Sequence, residues 1–325
     1  MSKYDLSIII PARSEMFLKN TIEDILDKSR GKTEVIAVLD GAWADPPIKD
    51  DPRVVLVHYS EAIGQRAACN KAASLSNAKY IAKCDAHCGF DEGFDIKLMA
   101  DMKDDWTIVP VMRNLHAFDW VCPDGHRRYQ GRSGVCEVCG KPTTRDFKWI
   151  GKANPTSDSY CFNTEPQFRY FREYRRRPEY KEDFEETQLT QTMSLQGSFF
   201  MMTREKYWDL NICDERFGSW GSQGLEVAIK TWLSGGKCMV SHKTWYAHMF
   251  RTQGGDFGFP YPQTDRKVKE NRALAKDYFF NNKFEKAVHP LSWLIERFMP
   301  VPEWTAEDLS NLKNYGGNLN KNRRK

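Results

Sequence analysis

Five short apolar runs, alternating with helical stretches over the first 110 or so positions, constrain this chain more than any other feature. They are Leu6-Ser7-Ile8-Ile9-Ile10, Val35-Ile36-Ala37-Val38-Leu39, Val54-Val55-Leu56-Val57, Tyr80-Ile81-Ala82 and Trp106-Thr107-Ile108-Val109. Near-continuous runs of branched residues read as strands buried on both faces, the pattern of a parallel sheet covered by helices. Between them, residues 15–28 place Leu18, Ile22, Ile25 and Leu26 on one helical face before Gly31, and a second helix is expected over residues 64–76. The first part of the chain therefore reads as a Rossmann-like α/β fold.

After residue 112 the pattern breaks. Residues 113–192 are rich in Arg, Gly, Pro and aromatics without clear periodicity, which predicts an insertion or substrate-facing loops. Regular structure returns with Leu195-Gln196-Gly197-Ser198-Phe199-Phe200-Met201-Met202, then a helix over residues 222–234 closed by Gly235-Gly236. A last helix is expected from about residue 264 to Phe280, with aromatic-rich segments to Trp304.

The chemistry begins at Cys84-Asp85-Ala86-His87-Cys88, directly after the fourth apolar run. An Asp and a His two apart at a strand end can turn toward one metal ion, and the C-terminal edge of an open α/β sheet is where ligands bind. A second cluster lies in the irregular region. Cys122 and His126, then Cys136 and Cys139, form two close pairs, a suitable tetrahedral set for structural zinc, with Gly140 relieving the turn after the second pair. Nine cysteines, an odd number spread over 325 residues, fit thiols and metal ligands better than a disulfide framework.

The net charge of +4 excludes a strongly basic nucleic-acid binder as judged from the total, so local clusters carry any such case. These are Arg172-Glu173-Tyr174-Arg175-Arg176-Arg177, the tail Asn320-Lys321-Asn322-Arg323-Arg324-Lys325, and the basic and aromatic neighbours of the zinc-like cysteines: Arg127, Arg128, Tyr129, Arg132, Lys141, Arg145, Phe147, Lys148 and Trp149. No run of roughly 18 apolar residues occurs, so neither a membrane span nor a membrane partner is expected, and a cytoplasmic location is favoured.

Several segments agree in order as well as content with one family. Ser7-Ile8-Ile9-Ile10-Pro11-Ala12-Arg13, Gly64-Gln65-Arg66-Ala67-Ala68-Cys69-Asn70, Asp85-Ala86-His87-Cys88, Trp220-Gly221-Ser222-Gln223-Gly224-Leu225-Glu226 and Tyr246-Ala247-His248-Met249-Phe250-Arg251 resemble GT-A fold glycosyltransferases of the family-two type, and most of all the polypeptide N-acetylgalactosaminyltransferases. The resemblance covers residues 5–255 apart from the middle insertion. It implies a mixed sheet covered by helices, here with a zinc-knuckle insertion. It divides the chain into a nucleotide-sugar-binding half (1–112), the insertion (113–192), an acceptor-side half (193–260) and a C-terminal extension (261–325).

By the same resemblance Asp85, His87 and His248 hold a divalent ion, Mn2+ or Mg2+, against the diphosphate of a nucleotide sugar. Pro11, Ala12 and Arg13 lie at the nucleotide end of the first strand, Asp40 contacts base or ribose, Arg66 reaches the nucleotide, and Asp85 serves donor as well as metal. The chain departs from the family where Gln223 and Gly224 stand in place of Glu and Asn. Gln cannot act as a base, which leaves Glu226, then Asp214, as the acidic candidates. Retaining and inverting enzymes share this fold, so the stereochemical outcome stays open.

The expected function is transfer of a hexose or pentose from a nucleotide-diphosphate donor, such as a UDP-sugar, to a hydroxyl. The basic, zinc-braced insertion points to a hydroxymethylated pyrimidine in DNA, as in phage DNA modification within a host cytoplasm; a glycan or protein hydroxyl is the alternative. Two other classes compete, a nucleotidyltransferase and a non-catalytic zinc protein that binds nucleic acid. The first lacks its glycine-rich phosphate loop at Pro11-Ala12-Arg13-Ser14, and the second leaves Asp85, His87 and His248 unexplained.

Overall fold

Strand β1 (Leu6–Ala12) is buried along its whole length, with Ile9 in the apolar core on one face of the sheet and Leu6, Ile8 and Ile10 in the core on the other. Burial on both faces is why the run is unbroken in sequence. The computed structural model in which this is seen describes residues 2–218, 222–251, 256, 258–260 and 266–316. Helix α1 (Leu18–Lys28) packs Leu18, Ile22 and Ile25 under one face, β2 (Thr33–Asp40) runs parallel to β1, and β3 (Val54–Tyr59) runs parallel to β2. Helix α2 (Gln65–Leu75) covers the opposite face with Ala68, Cys69, Ala72 and Ala73, and returns the chain to β4 (Tyr80–Cys84), parallel to β1 on its other side.

A short β5 (Cys88–Phe90) and α3 (Phe94–Asp101) lead to β6 (Trp106–Val121), which turns back through β7 (Arg127–Tyr129) and β8 (Thr144–Lys152) as an antiparallel arm. β9 (Tyr160–Phe162) and β10 (Phe168–Tyr170) pair as a small second sheet, followed by α4 (Pro178–Thr187) and β11 (Leu189–Gln191). β12 (Phe199–Thr203), α5 (Arg204–Asp209), α6 (Gln223–Leu233) and β13 (Lys237–His248) complete the sheet; α7 (Arg266–Phe280), α8 (Leu291–Phe298) and α9 (Ala306–Gly316) follow.

The strand order is β11-β13-β6-β12-β4-β1-β2-β3. Alternation alone would set β6 beside β4; instead β12 enters antiparallel between them, pairing Phe199 with Cys84 and Met201 with Ile108. The sheet is therefore mixed, and Gly197 and Ser198, just before β12, come to lie next to Asp85, whose N–H donates to the Ser198 carbonyl at 2.8 Å.

The expected division at residues 112 and 113 falls inside β6, which continues through it. Residues 113–192 are shared between two parts of the fold: Cys161, Phe162, Phe171, Tyr174 and Tyr180 belong to the main core, while Leu115, Ala117, Phe118 and Trp120 of the arm sit in a separate cluster. The C-terminal extension shares that core through Leu291, Leu294, Ile295, Phe298, Trp304 and Leu312. Trp220-Gly221 and the basic tail 320–325 lie outside the described residues. Among those described, no helix is long and apolar enough to cross a membrane.

Candidate active site

The end of β4 carries Lys83, Cys84 and Asp85, and the turn to β5 carries His87. Pairing of β13 with β5 sets His248 opposite Cys88, while the Met249 N–H donates to the His87 carbonyl at 3.1 Å. Local sequence supplies Asp85 and His87; long-range strand pairing supplies His248. One ligating atom from each of the three lies within 4.8 Å of the others. His248 Nε2 is 3.3 Å and His87 Nε2 3.9 Å from Asp85 Oδ2.

Electrostatics suit a cation. Burial by itself would push Asp85 up, but the Lys83 ammonium and then His248 outweigh it and hold the carboxyl well below its ordinary value. Burial pushes the His248 ring down to about 4, so it is neutral at pH 7 with a lone pair to offer. Both its ring nitrogens are buried and make no well-aligned hydrogen bond among the described residues, the Asp85 carboxylate 3.3 Å from Nε2 being the nearest charge given for them. Orphaned imidazole nitrogens beside an ionised carboxylate are what a site for a divalent ion leaves open, so the residues fit the metal the sequence implied. Glu15 Oε2 lies 3.1 Å from His87 Nδ1, and Glu15 also pairs with Arg251. A carboxylate on Nδ1 turns Nε2 toward Asp85.

Two cavities meet at this cluster. One, of about 200 Å³, is lined by Pro11, Arg13, Glu15, Ala86, Phe250 and Arg251. The other, of about 460 Å³, lies toward Gln167, Arg169, Gln196, Ser198, Gln223 and Arg272. Gln65, Asp85 and His248 line both. Pro11 and Arg13 thus border the smaller cavity, while Ala12, between them at the end of β1, is buried.

Four other expected site residues are placed differently. Arg66 and Glu226 are each 1% exposed and face one another, with Arg66 Nε and Nη2 donating to Glu226 Oε2 at 3.2 and 3.0 Å. Glu226 Oε1 accepts from Lys230 Nζ at 2.7 Å and from the Asp214 N–H at 3.1 Å. With both oxygens occupied and sealed, Glu226 has none to present to an acceptor hydroxyl. Asp214 is chelated by Arg216, its Oδ2 2.7 Å from Arg216 Nη2, and is also buried. Asp40 is buried and accepts from the N–H groups of Ile63 and Gly64 at 2.6 and 3.1 Å, fixing the loop into α2. Arg66 likewise binds the Gly218 carbonyl at 3.0 Å. The motif residues are present, but their charges are spent within the protein, on one another, on Arg216 and on backbone N–H groups.

The departure at Gly224 has a steric cause. A Cβ there would stand 2.2 Å from the Leu195 carbonyl oxygen and 2.7 Å from the Gly197 nitrogen, so the start of α6 can press on the cavity wall only without a side chain. Gln223 donates to Cys213 Sγ at 3.0 Å and accepts from Gln65 at 3.3 Å.

Cys122, His126, Cys136 and Cys139 converge at the tip of the arm, their ligating atoms within 4.8 Å of one another. Sγ of Cys122 is 3.4 Å from His126 Nδ1 and 3.6 Å from Cys139 Sγ, close to the edges of a tetrahedron with Zn–S about 2.3 Å and Zn–N about 2.0 Å. Each pair is wrapped in a tight turn, with Gly125 (φ +82°) and Gly140 (φ +72°) supplying left-handed backbone. The N–H groups of Cys139 and Val138 lower the Cys136 thiol to about 7, favouring the thiolate a metal takes.

Three residues of the site escaped sequence reading: Glu15, Lys83 and Gly197. For Lys83 a signal existed, since a lysine inside the apolar run of β4 is a buried charge that must find a partner. Its side chain is 1% exposed, and its Nζ bonds Asp85 Oδ1 and, at 2.6 Å, the Gly197 carbonyl.

The family model for glycosyl transferase family 2 matches residues 7–210. The putative polypeptide N-acetylgalactosaminyltransferase 13 of Drosophila melanogaster is 23% identical over 312 residues, 90% of this chain and 48% of the relative. Polypeptide N-acetylgalactosaminyltransferase 13 of Homo sapiens is 24% identical over 234 residues, 70% of this chain and 37% of the relative. The chain thus spans about half or less of the length of these relatives. A crystal structure of GalNAc-T7 with UDP, GalNAc and Mn2+ superposes with a TM-score of 0.60 at 15% identity, over 96% of this chain and 54% of that one. That likeness establishes a shared GT-A fold.

Proposed function

The chain belongs to glycosyl transferase family 2, an enzyme family that transfers sugars, and from that premise we propose that it moves a sugar from a nucleotide-diphosphate donor, a UDP-sugar, to an acceptor hydroxyl across the junction of the two cavities. Family membership favours this over nucleotidyl transfer and over a non-catalytic nucleic-acid-binding role. The observation that carries the reading is the cluster Asp85, His87 and His248 at that junction, with an unbonded buried imidazole.

In this reading Asp85, His87 and His248 hold a divalent ion. One carboxylate and two imidazoles accept manganese or magnesium, and the UDP and Mn2+ of the GalNAc-T7 crystal favour manganese. When bound there, such an ion would supply Lewis-acid stabilisation of charge on the departing diphosphate. Pro11 and Arg13 border the donor cavity, where the Arg13 guanidinium suits phosphate or ribose oxygens. Glu15 keeps His87 in one orientation. Gln167 and Gln196 in the lining of the larger cavity carry amides suited to sugar hydroxyls, while Gln65 and Gln223 bond one another in its wall. The ion-paired Arg66, Glu226, Lys230 and Asp214 act as the buried support of α6, whose start lines the larger cavity. Four sulfur and nitrogen ligands at the arm tip hold structural zinc.

For the acceptor, the sequence favours a hydroxymethylated pyrimidine in DNA. That case rests on basic residues of the arm, and most of these are engaged: Arg127 and Lys148 with Asp146, Lys141 with Asp124, and Arg145 over the rings of Phe118 and Trp120. Arg175 pairs with Asp158, and Arg177 donates to the Phe298 carbonyl. An electrostatic footprint for a phosphate backbone is thereby reduced. A protein or glycan hydroxyl then becomes the stronger reading, favoured by the amide-rich cavity. The experiment is sugar transfer from a panel of nucleotide sugars, with and without Mn2+, to Ser/Thr peptides, glycans, hydroxymethylated DNA and plain DNA. Manganese-dependent transfer to a peptide or glycan supports this reading; transfer to hydroxymethylated DNA alone restores the first. Absence of donor hydrolysis with every nucleotide sugar overturns the assignment.

A further inference from the structure

Lys83 is a full positive charge in the wall of the cation cluster. It rises from a strand whose neighbours are Ile9 of β1 and Phe200 of β12, and its side chain is almost wholly enclosed. It spends its ammonium on Asp85 Oδ1 and the Gly197 carbonyl, leaving Asp85 Oδ2 facing the two imidazoles. The charge count follows directly. Asp85 contributes minus one and Lys83 plus one, and Glu15 is balanced by Arg251. Both carboxylates of the cluster are thus matched by cationic side chains before any ligand arrives, although its geometry suits a divalent cation.

We propose that Lys83 is a positioning residue that makes cation binding conditional on the nucleotide diphosphate. This rests on the donor-site reading above. Two charges of like sign a few ångströms apart in a partly buried site repel strongly, so Lys83 weakens the hold of Asp85 on a divalent ion that arrives alone. A diphosphate adds negative charge that serves the ion and the ammonium together, so each ligand raises the affinity for the other by the same factor. The Lys83 bond to Gly197 ties the metal carboxylate to the wall of the acceptor cavity, so the same side chain also fixes where the ion sits relative to the transferred sugar.

The test measures Mn2+ binding by its electron paramagnetic resonance signal, with and without UDP, in the wild type, Lys83→Met and Lys83→Arg. The wild type is expected to bind Mn2+ at least about a hundredfold more tightly with UDP than without. In Lys83→Met, Mn2+ alone binds at least about tenfold more tightly than in the wild type, and the enhancement by UDP shrinks; Lys83→Arg keeps the wild-type pattern. A merely structural lysine would give the opposite sign, since loosening the site weakens the metal. Tight Mn2+ binding to the wild type without UDP, or no tightening in Lys83→Met, overturns the role of Lys83 and leaves the donor site standing. No Mn2+ binding to the wild type even with UDP overturns the donor-site reading itself. Should Lys83→Met fail to fold, Lys83→Gln and the wild-type comparison carry the same decision.

Discussion

Arg66 on α2 and Glu226 on α6, 160 positions apart in the chain, meet at 3.0 Å with each side chain 1% exposed. Lys230 completes the arrangement one helical turn beyond Glu226. Removing one partner of such a group leaves a charge buried and unpaired. Glu226→Gln is therefore expected to destabilise the protein by about 3–5 kcal/mol, read from urea unfolding. A catalytic base would behave differently: the variant would keep its stability and lose turnover.

His248 presents the reverse case, because among the described residues its ring nitrogens make no well-aligned hydrogen bond, and the Asp85 carboxylate 3.3 Å away keeps Lys83 as its partner when the ring is removed. His248→Ala should shift the metal-free melting temperature by a few degrees at most while lowering Mn2+-dependent donor hydrolysis by about a thousandfold. Asp85→Asn should lose both, since it also strips Lys83 of its charge partner. Scanning calorimetry beside a hydrolysis assay separates the two patterns; equal stability loss in both variants would contradict them.

The arm tip should carry one zinc per chain in the purified protein, by elemental analysis. Cys139→Ser should lose most of it and expose the arm to limited proteolysis, because little apolar core holds that tip together: Val135 and Val138 are 60% and 73% exposed. Mn2+ binding at Asp85 should persist in that variant, since the clusters share no residue.

Acid should act in part through His242, beside the equally lowered His248. Burial, with Arg175 nearby, pushes the His242 pKa down to about 4 from 6.5, and its Nε2 sits 2.8 Å from the Thr190 hydroxyl. The unfolded chain then takes up a proton that the folded one refuses. Stability is complete above pH 6.5 and lost as pH falls toward 4, on the order of 2 kcal/mol after allowance for partial exposure. Comparing urea midpoints at pH 7 and pH 4.5, the gap should narrow in His242→Asn; an unchanged gap would assign the effect elsewhere.

Gly224→Ala should displace the wall formed by residues 195–197, because its new methyl has no room against the Leu195 carbonyl. A destabilisation of about 1–3 kcal/mol is expected. Transfer to the acceptor should fall more than donor hydrolysis, as Gly224 lines the larger cavity and not the smaller.

The sequence by itself determined what rests on short-range pattern. Unbroken apolar runs identified the strands, four of them because burial on both faces removes alternation, whereas β3 lies at the sheet edge with Val55 and Leu56 exposed; the spacings of Asp85 with His87 and of Cys122, His126, Cys136 and Cys139 pointed to two clusters that could hold a metal because a turn brings near neighbours together. The mixed sheet and His248 were legible only through resemblance. Which residues reach the cavities was decided by tertiary structure alone. β12 crosses about a hundred positions to lie beside β4, bringing Gly197 to Lys83, and the same folding drives Arg66 and Glu226 into each other and out of reach of a ligand. A charged residue carries the same letter whether it faces a substrate or a buried counter-charge; only the partner that long-range packing sets against it distinguishes the two.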